Sequence, residues 1–306
     1  MSYNLRIWAG GHGPGIELTQ SEYRSLVDAT SRIHLATGVE EKLDILLENF
    51  LEYERELLGL ALQNSLFGSL DDVRMFREIQ QINRRAINLF TAARMYADQV
   101  KHAVSQYFAA GNAPDVKALF SAEYDQHLEY RIAEALRNQA QHRELPVHQV
   151  SWPSRWEEMD GPQHRLRFWL VPSLLVEELE NAGEFKASVL AELKAAGSKE
   201  LPLTPILRRY VECLASVHTK VRELIASQAE ADHKLLIVTL ERARVELREG
   251  LTGLVVSAGD DPETPHEHHY ISERSWSRRK QLIQKNSRLS NLSRKYVSAE
   301  HPGDAA

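Results

Sequence analysis

The sequence predicts a mainly helical protein with one small β-hairpin and further helices beyond it. Three observations lead there. Apolar residues recur three and four apart over most of residues 19–143. Capping and breaking residues punctuate that pattern at Thr19, Gly38, Gly68 and Gly111-Asn112-Ala113-Pro114. The period shortens between Val147 and Leu170, where two segments rich in β-formers flank Asp160-Gly161-Pro162.

Residues 1–18 are expected to be a flexible N-terminal segment. Their Gly10-Gly11-His12-Gly13-Pro14-Gly15 run lacks both the dinucleotide fingerprint and the Lys-Ser or Lys-Thr of a P-loop. Thr19 and Glu22 make a capping-box pair, so a helix is expected over Ser21–Thr37, ended by Gly38. Leu43, Leu46, Leu47, Phe50, Leu51, Leu57, Leu58 and Leu62 predict the next, over 39–67. Ser69 caps a third, with Asp71 and Asp72 in its first turn, running to Ala109. A fourth spans Pro114 to Arg143. Val147–Trp152 and Arg165–Leu170 read as a hairpin with a long loop, and Trp152, Trp156 and Trp169 as its packing anchors. Helices resume over Ser173–Asn181, Glu184–Ala196 and from Pro202 to Leu251. The expected division is a flexible segment 1–18, a helical bundle 19–146, a hairpin plus helical extension 147–258, and a linker with a basic tail 259–306.

Composition narrows the function. Of 306 residues, 43% are hydrophobic and 26% charged, an ordinary globular mix. No apolar run is long enough to span a bilayer, and the start lacks the basic-then-apolar pattern of a secretory signal. A single cysteine, Cys213, excludes an internal disulfide and a cysteine-based zinc cage. A cytoplasmic protein without membrane contact is expected, with no cofactor and no metal. His266, His268 and His269 beside Glu267 read as a polar linker rather than a metal site. The net charge of −6 argues against nonspecific coating of nucleic acid. From Ile271 onward, however, eight Lys or Arg face Glu273, Glu300 and Asp304, a net +5 that leaves −11 for the other 270 residues. Such a tail can attract phosphate, or be a solvated terminus.

The sharpest signal is the hexad Arg137-Asn138-Gln139-Ala140-Gln141-His142 at the end of the fourth helix. On a wheel, Leu128, Ile132, Ala135, Leu136 and Gln139 share a mostly apolar side, while Tyr130, Arg131, Glu134, Arg137 and Asn138 take the other. Glu134, Asn138 and His142 form one stripe. Arg137 lies about 140° round from His142. The two converge only if the last turn is distorted, if the arginine bends back, or if two copies share a cleft. Histidine titrates near neutrality and can move a proton, and arginine can clamp a developing phosphorane. The same residues are equally explained as a dipole-favoured histidine at a helix end and an Arg137–Glu134 ion pair.

Arg137-Asn138 followed by His142, at the end of an apolar-faced helix, resembles the motif of the HEPN superfamily. The resemblance covers residues 40–145. It implies a small helical bundle, a homodimer with both motifs facing one cleft, and a metal-independent endoribonuclease of the toxin or antiphage kind. RNA would be cut by 2′-hydroxyl attack, with Arg137, Asn138 and His142 catalytic, and an antitoxin or activator protein is a further implied partner. Glu134, and Asp98 on the preceding helix, would support the motif arginine. Within that helix Asn83, Arg84, Asn88, Arg94 and Asp98 interrupt the apolar run, and Arg94 and Asp98 can also pair as an ordinary surface ion pair. The alternative under the same resemblance is a catalytically inactive dimeric scaffold or interaction module.

Overall fold

The computed structural model describes residues 1–8, 15–67, 71–108, 112–142, 145–158, 164–183, 185–247, 253–259 and 267–297, and of 141, 142 and 158 the backbone alone. In chain order the elements are β1 (Ser2–Ile7), β2 (Gly15–Glu17), α1 (Gln20–Phe67), α2 (Asp72–Tyr107), α3 (Val116–Gln126), α4 (Leu128–His142), β3 (Gln149–Ser151), β4 (Ser154–Glu158), β5 (His164–Phe168), β6 (Val171–Leu175), α5 (Val176–Asn181), α6 (Ala187–Ala195), β7 (Glu200–Pro202), α7 (Leu203–Leu247), β8 (Leu254–Gly259), β9 (Glu267–Tyr270) and α8 (Arg274–Lys285). The protein is mainly helical with small antiparallel sheets, as expected. No described helix is long and apolar enough to cross a membrane.

The chain forms two compact units, each drawn from three separate stretches. The first holds residues 1–42, 99–116 and 219–287, and the second 43–98, 117–218 and 288–306. The expected boundaries at 18, 146 and 258 do not follow this division. The long helices α1, α2 and α7 each contribute one part to either unit.

In the first unit, four antiparallel strands lie in the order β2-β1-β8-β9. Leu5 stands opposite Val256 and Ile7 opposite Leu254, so the apolar residues of both strands share one face. That face buries Leu5, Ile7, Val256 and Ala258 with Tyr23, Leu26 and Ile33 of α1, Leu236 and Leu240 of α7, and Trp276 of α8. The expected flexible segment 1–18 therefore carries two strands. Its alternation Tyr3, Leu5, Ile7 is a strand signal, although residues 9–14 lie outside the described part. The basic tail departs from a solvated terminus in the same way, since α8 buries Trp276 and Leu282. Two buried acids in this unit are forked by arginines. Arg222 donates to the fully buried Glu40 at 2.6 and 2.9 Å, and Arg32 to Asp232 at 2.7 and 2.8 Å.

Gly38 does not end a helix, because α1 runs through it. Ala36, Thr37, Val39 and Glu40 around it are all buried, and that packing outweighs a glycine cost of about 1 kcal/mol.

The second unit is helical around Tyr53, Leu89, Phe90, Tyr96, Leu136 and Tyr210, all buried. Its strands make a sheet β3-β6-β7 and a separate pair β4–β5. The two segments expected to pair as one hairpin, 147–152 and 165–170, pair instead with other strands, in two nested pairs. β4 pairs with β5 inside, and β3 pairs with β6 outside. Residues 173–175, expected to open the helix over Ser173–Asn181, belong to β6 (Val171–Leu175). The expected helix 114–143 is two, with His127 between α3 and α4. Two of the three tryptophans are not packing anchors: Trp156 is 66% exposed and Trp169 36%. The breakers Gly68, Ser69, Gly111, Asp160-Gly161-Pro162 and the linker residues 260–266, His266 included, fall outside the described residues.

Candidate functional site

The site is built on α4, which begins at Leu128 and stays helical as far as His142, with Pro146 four residues on. Burial does not divide the helix into the two faces the wheel suggests. Ile132, Ala135, Leu136 and Gln139 are buried, and so are Tyr130 and Arg137 from the side expected to be polar. That side is covered from within the unit. Tyr130 meets Tyr210 of α7 edge to face at 5.0 Å, and Arg131 Nη2 donates to both carboxylate oxygens of Glu192 of α6 at 2.8 Å.

Arg137 is 7% exposed. Its Nη2 donates to Glu134 Oε2 at 3.0 Å, the i,i+3 pair that the spacing allows. Glu134 Oε1 accepts from the Tyr210 hydroxyl at 2.5 Å. The carboxylate thus bridges a buried phenol and a buried guanidinium. Burial first, then the charge of Glu134, pushes the Tyr210 hydroxyl well above its usual range, so it stays a donor. Tyr130 is raised by the same two causes in the same order. Arg137 Nε is buried with no hydrogen-bond partner among the described residues. The next residue, Asn138, is exposed. The His142 side chain lies outside the described residues, so the convergence of Arg137 with His142 is left to its backbone position at the end of α4.

The structure joins Arg137 to Glu134. Asp98 pairs with Arg94 at 2.6 Å, both side chains 47% exposed, as the ordinary surface pair. Of the other polar residues on α2, Asn83 is buried and clips the segment that leads from α4 into β3. Its Oδ1 accepts from the Val147 N–H at 2.8 Å, and its Nδ2 donates to the Val147 carbonyl at 3.3 Å. It fixes the exit of the chain from the hexad. Sequence reasoning missed Tyr210 altogether. A tyrosine inside a helical pattern carries no mark of the carboxylate it meets 76 residues away.

The hairpin is the second element of note. Trp156 stands opposite Leu166, itself 45% exposed, and the Arg155 guanidinium lies 5.9 Å from the Trp169 ring centroid. Glu157 sits among Arg155, Arg165 and Arg167 at 2.8, 3.9 and 3.2 Å. Its bond to Arg155 first, then the three arginine charges, hold its carboxyl below the usual range. Exposed indole faces among arginines can stack bases and attract phosphates.

No family model, no curated protein and no solved structure matches the chain.

Proposed function

We propose that the protein is a metal-independent endoribonuclease of HEPN type that acts as a homodimer. The observation that carries the reading is the last part of α4. A buried arginine is held by a carboxylate that a buried tyrosine holds in turn, beside an exposed asparagine, one turn before a helix-ending histidine. An arginine fixed in advance loses little entropy when it meets a phosphorane, and a histidine can shuttle the proton between the 2′-hydroxyl and the leaving oxygen. The aromatic and basic hairpin of the same unit supplies a surface for single-stranded RNA. Two copies facing one cleft resolve the wide angle between Arg137 and His142.

A second reading, a catalytically silent dimeric module, is favoured by the low exposure of Arg137 and its pairing with Glu134. Incubating the purified protein with single-stranded RNA in EDTA separates the two. Cleavage should leave 2′,3′-cyclic phosphate ends, spare DNA, and fall about 10²–10⁴-fold in His142→Ala. Asn138→Ala is the companion variant, because its exposure keeps stability out of the comparison. RNA binding without cleavage supports the silent module. Cleavage undiminished in His142→Ala overturns the mechanism. Light scattering should give a dimer, and a monomer at micromolar concentration overturns the shared cleft.

A further inference from the structure

A second polar cluster lies in the same unit, about one turn along α7 from Tyr210. Glu123 on α3, His127 just after it and Cys213 on α7 bring a carboxylate oxygen, an imidazole nitrogen and a sulfur within 4.8 Å of one another. Glu123 and Cys213 are buried, while the His127 side chain is 32% exposed. Glu123 and His127 are four residues apart along continuing helical hydrogen bonding, since the His127 N–H donates to the Glu123 carbonyl at 3.1 Å. That spacing puts both side chains on one face, turned toward α7.

The two oxygens of Glu123 have different surroundings. Oε1 accepts from the Ser216 hydroxyl at 2.8 Å. Oε2 faces His127 Nε2 at 3.5 Å. That distance is long for a charge-assisted hydrogen bond, which runs about 2.7–2.9 Å. It is close to the edge of a zinc tetrahedron, about 3.3 Å when zinc lies about 2.0–2.1 Å from oxygen and nitrogen. Ser216 orients the carboxylate much as hydrogen-bonded partners orient ligands in known metal sites.

We propose that Glu123, His127 and Cys213 form a binding site for a zinc-like divalent cation. One oxygen, one nitrogen and one sulfur are a borderline-soft donor set that suits zinc or cobalt and disfavours magnesium and calcium. On binding, the Cys213 thiol gives its proton to the buffer and the thiolate ligates. The part-exposed imidazole marks the side open to solvent, where water completes the shell. The site stands apart from the proposed cleavage, which needs no metal. It ties α3 to α7 across 90 residues of chain, so its effect is on stability.

Cobalt titration of the full-length protein, freed of metal with EDTA and then exchanged into chelator-free buffer, tests it. The protein has one cysteine, so a thiolate-to-cobalt charge-transfer band reports this site alone. The expected result is one equivalent of cobalt with a strong near-ultraviolet band, its displacement by zinc, and a higher Tm with zinc. Cys213→Ser should abolish the band. His127→Gln should weaken cobalt binding about tenfold or more. It carries the test if Cys213→Ser fails to fold, because His127 is part-exposed. A paired His268→Ala and His269→Ala variant should bind like the wild type. No band at tenfold excess cobalt, or unchanged affinity in His127→Gln, overturns the proposal. Cleavage that persists in EDTA while Tm falls separates this site from the proposed catalytic one.

Discussion

Arg137 shows how one residue serves two demands. Its guanidinium is nearly out of water, so removing its acidic partner leaves a buried charge. Removing Tyr210 Oη instead takes one donor from a carboxylate that keeps Arg137. Tyr210→Phe should therefore cost about 1–3 kcal/mol, read as a fall in Tm, with the helical circular dichroism unchanged. Arg137→Ala should destabilise as well, which makes its kinetics hard to read without the Asn138 and His142 variants. The Arg137–Glu134 pair was legible from a spacing of three along one helix. Tyr210 and Asn83 were not, because their partners are set by tertiary packing. His233 offers a pH test. It stacks on Trp276 at 4.2 Å, and burial first, then Lys280, lower its pKa from 6.5 against the opposing pull of Glu273 and Glu230. The folded state thus resists a proton that the unfolded chain accepts. This contribution to stability is present above about pH 6.5 and is lost as the pH falls toward the lowered folded value. The Tm of wild type should drop between about pH 7.5 and 5 more than that of His233→Gln.

At the scale of elements, helices were read well and their ends poorly. Periodicity of three and four survives in α1, α2, α4 and α7, but Gly38 looked like a stop and is helix interior. A Cβ there would meet only Lys42 Nζ, at 3.3 Å, the far end of a flexible side chain. Gly38→Ala should then raise stability by up to about 1 kcal/mol in chemical denaturation, and a loss would show that Lys42 cannot move aside. The β-formers on either side of a turn marked strands but not their pairing, which is β4 with β5 and β3 with β6, and two of the three tryptophans were misjudged, because large aromatic residues are usually anchors. Trp156 being two-thirds exposed, Trp156→Ala should leave Tm nearly unchanged. If the hairpin binds single-stranded RNA, the same change should weaken binding by about 1–3 kcal/mol, measured by fluorescence anisotropy.

At the scale of the whole molecule, two units interleave along the chain, and no reading of local pattern could find them. Each is closed by residues far apart in sequence: Glu40 by Arg222, Asp232 by Arg32, Glu54 by Arg208 at 2.6 and 2.7 Å. Arg222→Met strands the fully buried Glu40 and should cost about 3–5 kcal/mol in urea unfolding. The basic tail, expected to attract phosphate or to be a solvated terminus, cannot be removed cleanly from Ile271 onward, since α8 buries Leu282 and the core of the first unit includes Ile271 and Trp276. The strand β1 carries the longest-reaching of these closures. It lies between β2 and β8, and every bond on its second side is to residues 254–259. During synthesis β8 is made only some 250 residues after β1, so β1 waits for the partner on its second side. Through that interval it presents Leu5 and Ile7 on an unpaired edge, at a translation rate of about 5–20 residues per second. The nascent chain therefore carries a sticky strand for roughly ten seconds or more, and the newborn protein should lean on chaperones at β1 until β8 is made, whatever the finished molecule does.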